Sequence, residues 1–228
     1  MKAAILVADE QELRALAGEL ARHSAVAVDT ESNSLHAYRE RVCLIQFSTA
    51  DDDFIVDPIR MADLQPLAAL FANPDQQKVF HAAEGDLIGL RRDFQFAFAN
   101  LFDTMSAART LGWPQVGLAS ILDTRFGVTL NKKYQRADWK RRPLTPEQLD
   151  YARLDTHYLV ALREKQLDAL TVAGRLAEAQ EEFDRLARVR PEPANAAPNA
   201  QAFWRVKGAR ELTPAPVAEL PARSEVHK

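Results

Sequence analysis

The 228-residue chain has one cysteine, Cys43, which excludes an intramolecular disulfide framework. Cys43 sits in the apolar run VCLIQF and reads as a small buried hydrophobe. No stretch approaches the ~20 apolar residues of a membrane-spanning helix. The N-terminus, MKAAILVADEQEL, reaches acid after an apolar run too short for a signal peptide. Cytoplasmic residence is therefore expected. An excess of positive charge is also missing, since the formal net charge is −3. A nucleic-acid binder of this composition must gather its cations locally. No internal repeat is visible.

The cations are gathered in one place. Arg125, Lys132, Lys133, Arg136, Lys140, Arg141 and Arg142 stand against the single acid Asp138, with Tyr134 and Trp139 interleaved. A charge run alone is usually a solvated surface loop. Beside an acidic site that handles polyphosphate it becomes a means of holding the anionic strand.

The length suits one core, or one core with a tail. Asp9 and Glu12 open an amphipathic helix over 9–21. Residues 25–29, 42–48, 53–57, 77–81 and 100–104 read as strands, and 30–41 as a polar turn. Helices are expected over 62–72, 84–94, 104–111 and 117–126. Thr145-Pro146-Glu147-Gln148 is a capping box that opens a long helix to about Ala173, where Gly174 interrupts it. A further helix ends near Val189. After Pro191 the run PEPANAAPNA reads as a linker, followed by FWRVKGARELTP and a Pro-rich end. The pattern predicts an α/β domain with a mixed sheet over 1–190 and a tail over 191–228.

Three blocks carry acids that their apolar surroundings do not need. VAVDTES holds Asp29 and Glu31, VFHAAEGDL holds Asp86, and LDYARLDTHYL holds Tyr151 and Asp155. Residues i and i+2 of a strand face the same side, so Asp29 and Glu31 converge. Residues i and i+4 of a helix share a face, so Tyr151 and Asp155 converge, with Tyr158 continuing that face and His157 pointing elsewhere. Asp86 lies near a helix start, where the dipole favours a carboxylate. Four clustered carboxylates raise one another's pKa unless cations offset the repulsion. Hard divalent ions, Mg²⁺ or Mn²⁺, prefer such oxygen ligands, and a pair of them can clamp a phosphate. Tyr151 would orient the attacking water, because its ordinary pKa of about 10 makes it a poor base. A lone D-x-E, or a lone Y-x-x-x-D, is usually surface chemistry. The ordered conjunction is what points to a phosphodiesterase.

The set DTE, H-x-x-x-x-D, Y-x-x-x-D resembles the tyrosine-containing subgroup of the DEDD exonucleases. RVCLIQFST and LNKKYQRADWKRRPLTPEQLDYARLDTHYL resemble bacterial ribonuclease D, and the likeness covers roughly residues 5–190. It implies a ribonuclease H-like exonuclease fold, a five-stranded mixed sheet flanked by helices. It implies hydrolytic 3′→5′ release of nucleoside 5′-monophosphates from RNA, with tRNA precursors and other small structured RNAs as substrates. Asp29, Glu31, Asp86 and Asp155 would hold two divalent cations, and Tyr151 would complete the catalytic set. Thr30 and Leu35 would contact the terminal nucleotide. Lys132, Lys133, Arg136 and Trp139 would hold the strand. His81 would support the second block by hydrogen bonding, and His157 would be a packing or surface residue. FWRVKGARELTP resembles the lead-in to a helical HRDC domain. A monomer is expected. Two other readings stay open: the same chemistry on DNA, and a catalytically silent nucleic-acid binder on the same fold.

Overall fold

The computed structural model describes residues 2–37, 39–131 and 133–191. The linker and the HRDC-like lead-in expected after Pro191 lie outside these residues, as does Lys132. Six strands form one mixed sheet: β1 (Ile5–Val7), β2 (Ala25–Ser32), β3 (Val42–Ser48), β4 (Asp53–Val56), β5 (Gln77–Phe80) and β6 (Leu101–Asp103). Their order is β1-β4-β3-β2-β5-β6. β3 is antiparallel to both neighbours, while β1, β5 and β6 pair in parallel with theirs.

Two features of the sheet differ from the sequence expectation. The sixth strand is β1, a three-residue edge strand paired with β4. Only Val7 of the three is buried, so no alternation marks it as a strand. β2 also runs on to Ser32, into the stretch expected to be a turn. Pairing with β3 carries it there, and a register shift between Glu31 and Ser32 ends the regular ladder.

Eight α-helices cover the two faces among the described residues. On one face lie α1 (Glu10–Leu20), α2 (Ala68–Ala72) and α3 (Glu84–Phe94). Their apolar residues join Val26 and Val28 of β2 and Ile45 and Phe47 of β3 in one core. The helices α4 (Thr104–Thr110), α5 (Leu118–Phe126), α6 (Pro146–His157), α7 (Leu159–Val172) and α8 (Leu176–Leu186) follow in the chain. Most of these pack with Ala27, Val79 and Phe102 from the opposite face. The N-terminal half of α6 closes a smaller cluster with Cys43, Leu44, Ile55 and Trp139. Cys43 is buried there, in the small-hydrophobe role expected of it.

The helix starts follow their caps. Asp9 accepts from the backbone N–H groups of Gln11 and Glu12, both at 2.9 Å. Glu12 reaches past the cap to accept from Ala8 N–H at 2.8 Å. The capping box of Thr145 and Gln148 opens α6 with Pro146 in its first turn. Over 62–72, where one helix was expected, Pro66 falls in a 3₁₀ turn (Gln65–Leu67) and the α-helix begins only at Ala68. The expected long helix also divides. Tyr158, with φ −97° and ψ −4°, separates α6 from α7. No glycine or proline marks this break. Instead Tyr158 packs its ring 5.3 Å from that of Phe126, while His157 Nδ1 lies 2.8 Å from Asp53 Oδ2. The face of Tyr151 and Asp155 therefore ends with α6. His157 is a packing residue, as expected, and is tied to a carboxylate.

Candidate active site

β2 delivers two carboxylates to the face covered by α6. Val26, Val28 and the side chain of Thr30 belong to the α3 face, so Ala27, Asp29 and Glu31 point the other way. Opposite them on β3, Gln46 pairs with Asp29 and Leu44 with Glu31. α6 packs across β2, β3 and β4 and brings Tyr151 and Asp155 to the same place. Asp86 comes from the other face, in the first turn of α3. The Thr30 hydroxyl donates to Asp86 Oδ1 at 2.5 Å and holds that carboxylate at the end of β2. Thr30, expected against the terminal nucleotide, has its side chain engaged in this way.

The electrostatics report the convergence. Burial, then Asp86, Asp155 and Glu31, push the Asp29 carboxyl well above the ordinary range. Glu31 is pushed up to about 9 by burial and by Asp155 and Asp86. Asp86 is pushed up to about 7 by burial, against the hydrogen bonds from Thr30. Asp155 rises to about 7 through burial and Asp86. All four remain half-buried, so each keeps an open face. Burial and the neighbouring carboxylates also raise the Tyr151 phenol, which stays protonated at neutral pH.

Four half-buried carboxylates with no cationic partner among the described residues suit a hard divalent ion better than any other common ligand. Among the described residues, no three acidic, histidine or cysteine side chains are gathered tightly enough to close around an ion.

Tyr151 is held between aromatic rings. Trp139 stacks on it with centroids 6.0 Å apart and planes at 28°. Tyr134 meets it edge-on at 6.0 Å. Trp139, expected to touch the strand, is 1% exposed and packs against Tyr151 instead. Its segment is bolted to the sheet by Arg142. That guanidinium donates to Asp57 at 2.5 and 2.7 Å, to Cys43 O at 3.0 Å and to Trp139 O at 2.7 Å. Arg142 is thus a structural cation within the basic run. No local signal distinguishes it, because its partners lie 85 and 99 residues away.

A cavity of ≈ 570 Å³ opens from Tyr151 and Asp155. Its walls include Leu118 and Ser120 of α5, then Leu130, Lys133, Tyr134 and Gln135 from the basic loop. The α5 contribution was not foreseen from sequence. Lys133 lies at this cleft with its Nζ 4.9 Å from the Tyr134 ring. Arg136 and Leu35 are exposed and do not line the cavity. The loops bearing them do touch, since His36 Nε2 donates to Arg136 O at 3.1 Å.

The turn that leads to Asp86 has its own supports. Ala82 adopts φ 62°, a conformation unfavourable for alanine. Asp103, 1% exposed, accepts from Ala83 N–H at 2.7 Å and from Ser106 N–H at 2.7 Å. His81 supports this region too, although its partner is Thr104 Oγ1 at 2.8 Å and not Asp86. Burial lowers His81 to about 4, so its imidazole is neutral. Asp103 was missed from sequence, where it reads only as the end of a strand before a helix.

A mixed sheet with helices on both faces and acids at the end of its second strand defines the class. It is the ribonuclease H-like exonuclease fold. The chain belongs to the 3′-5′ exonuclease family, whose pattern matches residues 4–170. It is similar to the catalytic core of RRP6 from Trypanosoma brucei, with TM-score 0.85 and 34% identity. That match covers 94% of this chain and 60% of the other. Escherichia coli RNase D, described as an exoribonuclease involved in structured RNA processing, aligns with TM-score 0.77 and 29% identity. Here the coverage is 93% of this chain and 56% of the other. The exosome complex exonuclease RRP6 of Saccharomyces cerevisiae is 38% identical over 181 residues, 77% of this chain. The chain spans only 25% of that relative's length. The likeness to ribonuclease D is therefore shared with RRP6 proteins.

Proposed function

We propose that this chain is a metal-dependent 3′→5′ exoribonuclease that trims the 3′ ends of structured RNAs, tRNA precursors among them. The observation that carries the reading is the convergence of Asp29, Glu31, Asp86 and Asp155, which raise one another's carboxyl groups, beside a cleft lined by Asp155, Tyr151 and Lys133. Asp29, Glu31, Asp86 and Asp155 would hold the divalent cations. When bound, those cations supply a more acidic water and offset charge on the phosphate and the departing 3′ oxygen. The chain's own groups do the rest. Tyr151, kept protonated, hydrogen-bonds the attacking water and fixes its direction. Trp139 and Tyr134 keep the phenol in one orientation. Thr30 restrains Asp86. Leu118, Leu130 and Tyr134 offer apolar and aromatic surface to the terminal nucleotide, and Lys133 offers a cation to its phosphates.

The test is a cleavage time course on 5′-labelled single-stranded RNA with a free 3′ end. It is run with Mn²⁺ or Mg²⁺, with EDTA, and with Asp155→Asn. A ladder that shortens from the 3′ end, abolished by EDTA and by the substitution, is the expected result. A matched DNA oligonucleotide degraded faster than RNA would move the substrate to DNA. Tight RNA binding without products in any metal would indicate a silent binder. The expectation of a monomer is not carried forward, because the yeast relative is named for a complex.

A further inference from the structure

Gln46 lies at the centre of β3 and is 0% exposed. Neither its Nε2 nor its Oε1 has a hydrogen-bond partner among the described residues. A buried amide that leaves its hydrogen bonds unmade destabilises the fold. Of its same-face neighbours, Leu44 along the strand and Ile55 across from it are apolar core residues, while the buried hydroxyl of Ser48, two residues on, is already engaged by Asp53 and Thr156. The amide thus has no partner among the groups that flank it, although polar groups stand on the same face.

The register explains why an amide could be worth that cost. Gln46 stands directly opposite Asp29 on the neighbouring antiparallel strand. Opposed side chains share a face, with Cβ atoms about 4.5–5.5 Å apart. The row across the sheet is thus Asp29, Gln46, Ile55. α6, which bears Asp155, covers this face. The buried amide is within side-chain reach of the Asp29 carboxylate and sealed from competing water.

We propose that Gln46 is a positioning residue for the reaction: its amide N–H donates to the Asp29 carboxylate when Asp29 engages a divalent cation. The donation fixes the rotation of that carboxylate and leaves its other oxygen free for the cation. Partners of this kind, one step behind a metal ligand, change metal affinity or activity by about 10–100-fold when removed. The inference rests on the metal-dependent reading above.

The experiment compares wild type, Gln46→Leu and Gln46→Met. Thermal unfolding is followed in EDTA and across a Mn²⁺ titration, and RNA cleavage is measured at saturating Mn²⁺. In EDTA the apolar variants should melt at or above the wild-type temperature. Their Mn²⁺ midpoint for stabilisation should rise by about 10–100-fold, and kcat should fall while KM for RNA is unchanged. A wild-type response retained by both variants would overturn this inference alone. So would unfolding of both variants in EDTA, which would mark Gln46 as purely structural. A wild-type protein indifferent to Mn²⁺ and EDTA would overturn the metal-dependent reading and this inference with it.

Discussion

Replacing Asp155 by asparagine should make the metal-free protein more stable at alkaline pH while it removes turnover. Asp155 is pushed up from 3.8 to about 7 by burial and by Asp86. A carboxyl raised in the folded state favours folding fully below its unfolded value and loses that contribution as pH rises through its folded value. A tenfold change in an equilibrium constant is ~1.4 kcal/mol, so ionising Asp155 in place costs at most about 4 kcal/mol. The open face of the cleft lets solvent screen part of this, and about 1–3 kcal/mol is the expected net. For a domain of this size that is a melting shift of roughly 2–10 °C. The assay is thermal unfolding in EDTA at pH 4.5 and pH 8.5. Wild type should lose stability between the two, because Asp86 and Asp155 lie near 7 and Glu31 near 9. Asp155→Asn should match wild type at the lower pH and exceed it at the higher. With Mn²⁺ at pH 8.5 the order should reverse, since ligand binding stabilises only the protein that keeps its ligands. An Asn variant less stable than wild type at pH 8.5 in EDTA would refute the reasoning.

Arg142→Ala should destabilise the protein by about 3–5 kcal/mol, because it strands Asp57, a carboxylate 2% exposed. Urea unfolding would measure this, and a loss below 1 kcal/mol would deny Arg142 its structural role. Tyr151→Phe should keep the ring packing with Trp139 and Tyr134 yet lower kcat by about 10²-fold. Steady-state cleavage of labelled RNA reads that effect, and wild-type kcat would remove Tyr151 from the mechanism. Lys133→Ala should weaken RNA binding and reduce the salt slope by about one. An unchanged slope in fluorescence anisotropy would take Lys133 off the strand.

Local patterns were legible from sequence because their physics is local. The i, i+2 spacing of Asp29 and Glu31 placed both on one side of β2, and the register of β2 keeps them there. The capping box at Thr145 located the start of α6, and the four-residue spacing of Tyr151 and Asp155 put them on one face of it. The three acidic blocks marked the candidate site before any contact between them was known. Tertiary structure decided what depends on distant partners. β1 is too short to carry a pattern, and only β4 makes it a strand. The break at Tyr158 follows from packing on Phe126 and from the tie between His157 and Asp53. Trp139 and Arg142 read as members of a basic, strand-holding loop. In the fold one is buried against Tyr151 and the other is locked to Asp57. Composition places residues of a kind near one another. Which of them faces solvent and which is buried is settled by partners tens of residues away, through contacts that no short window of sequence contains.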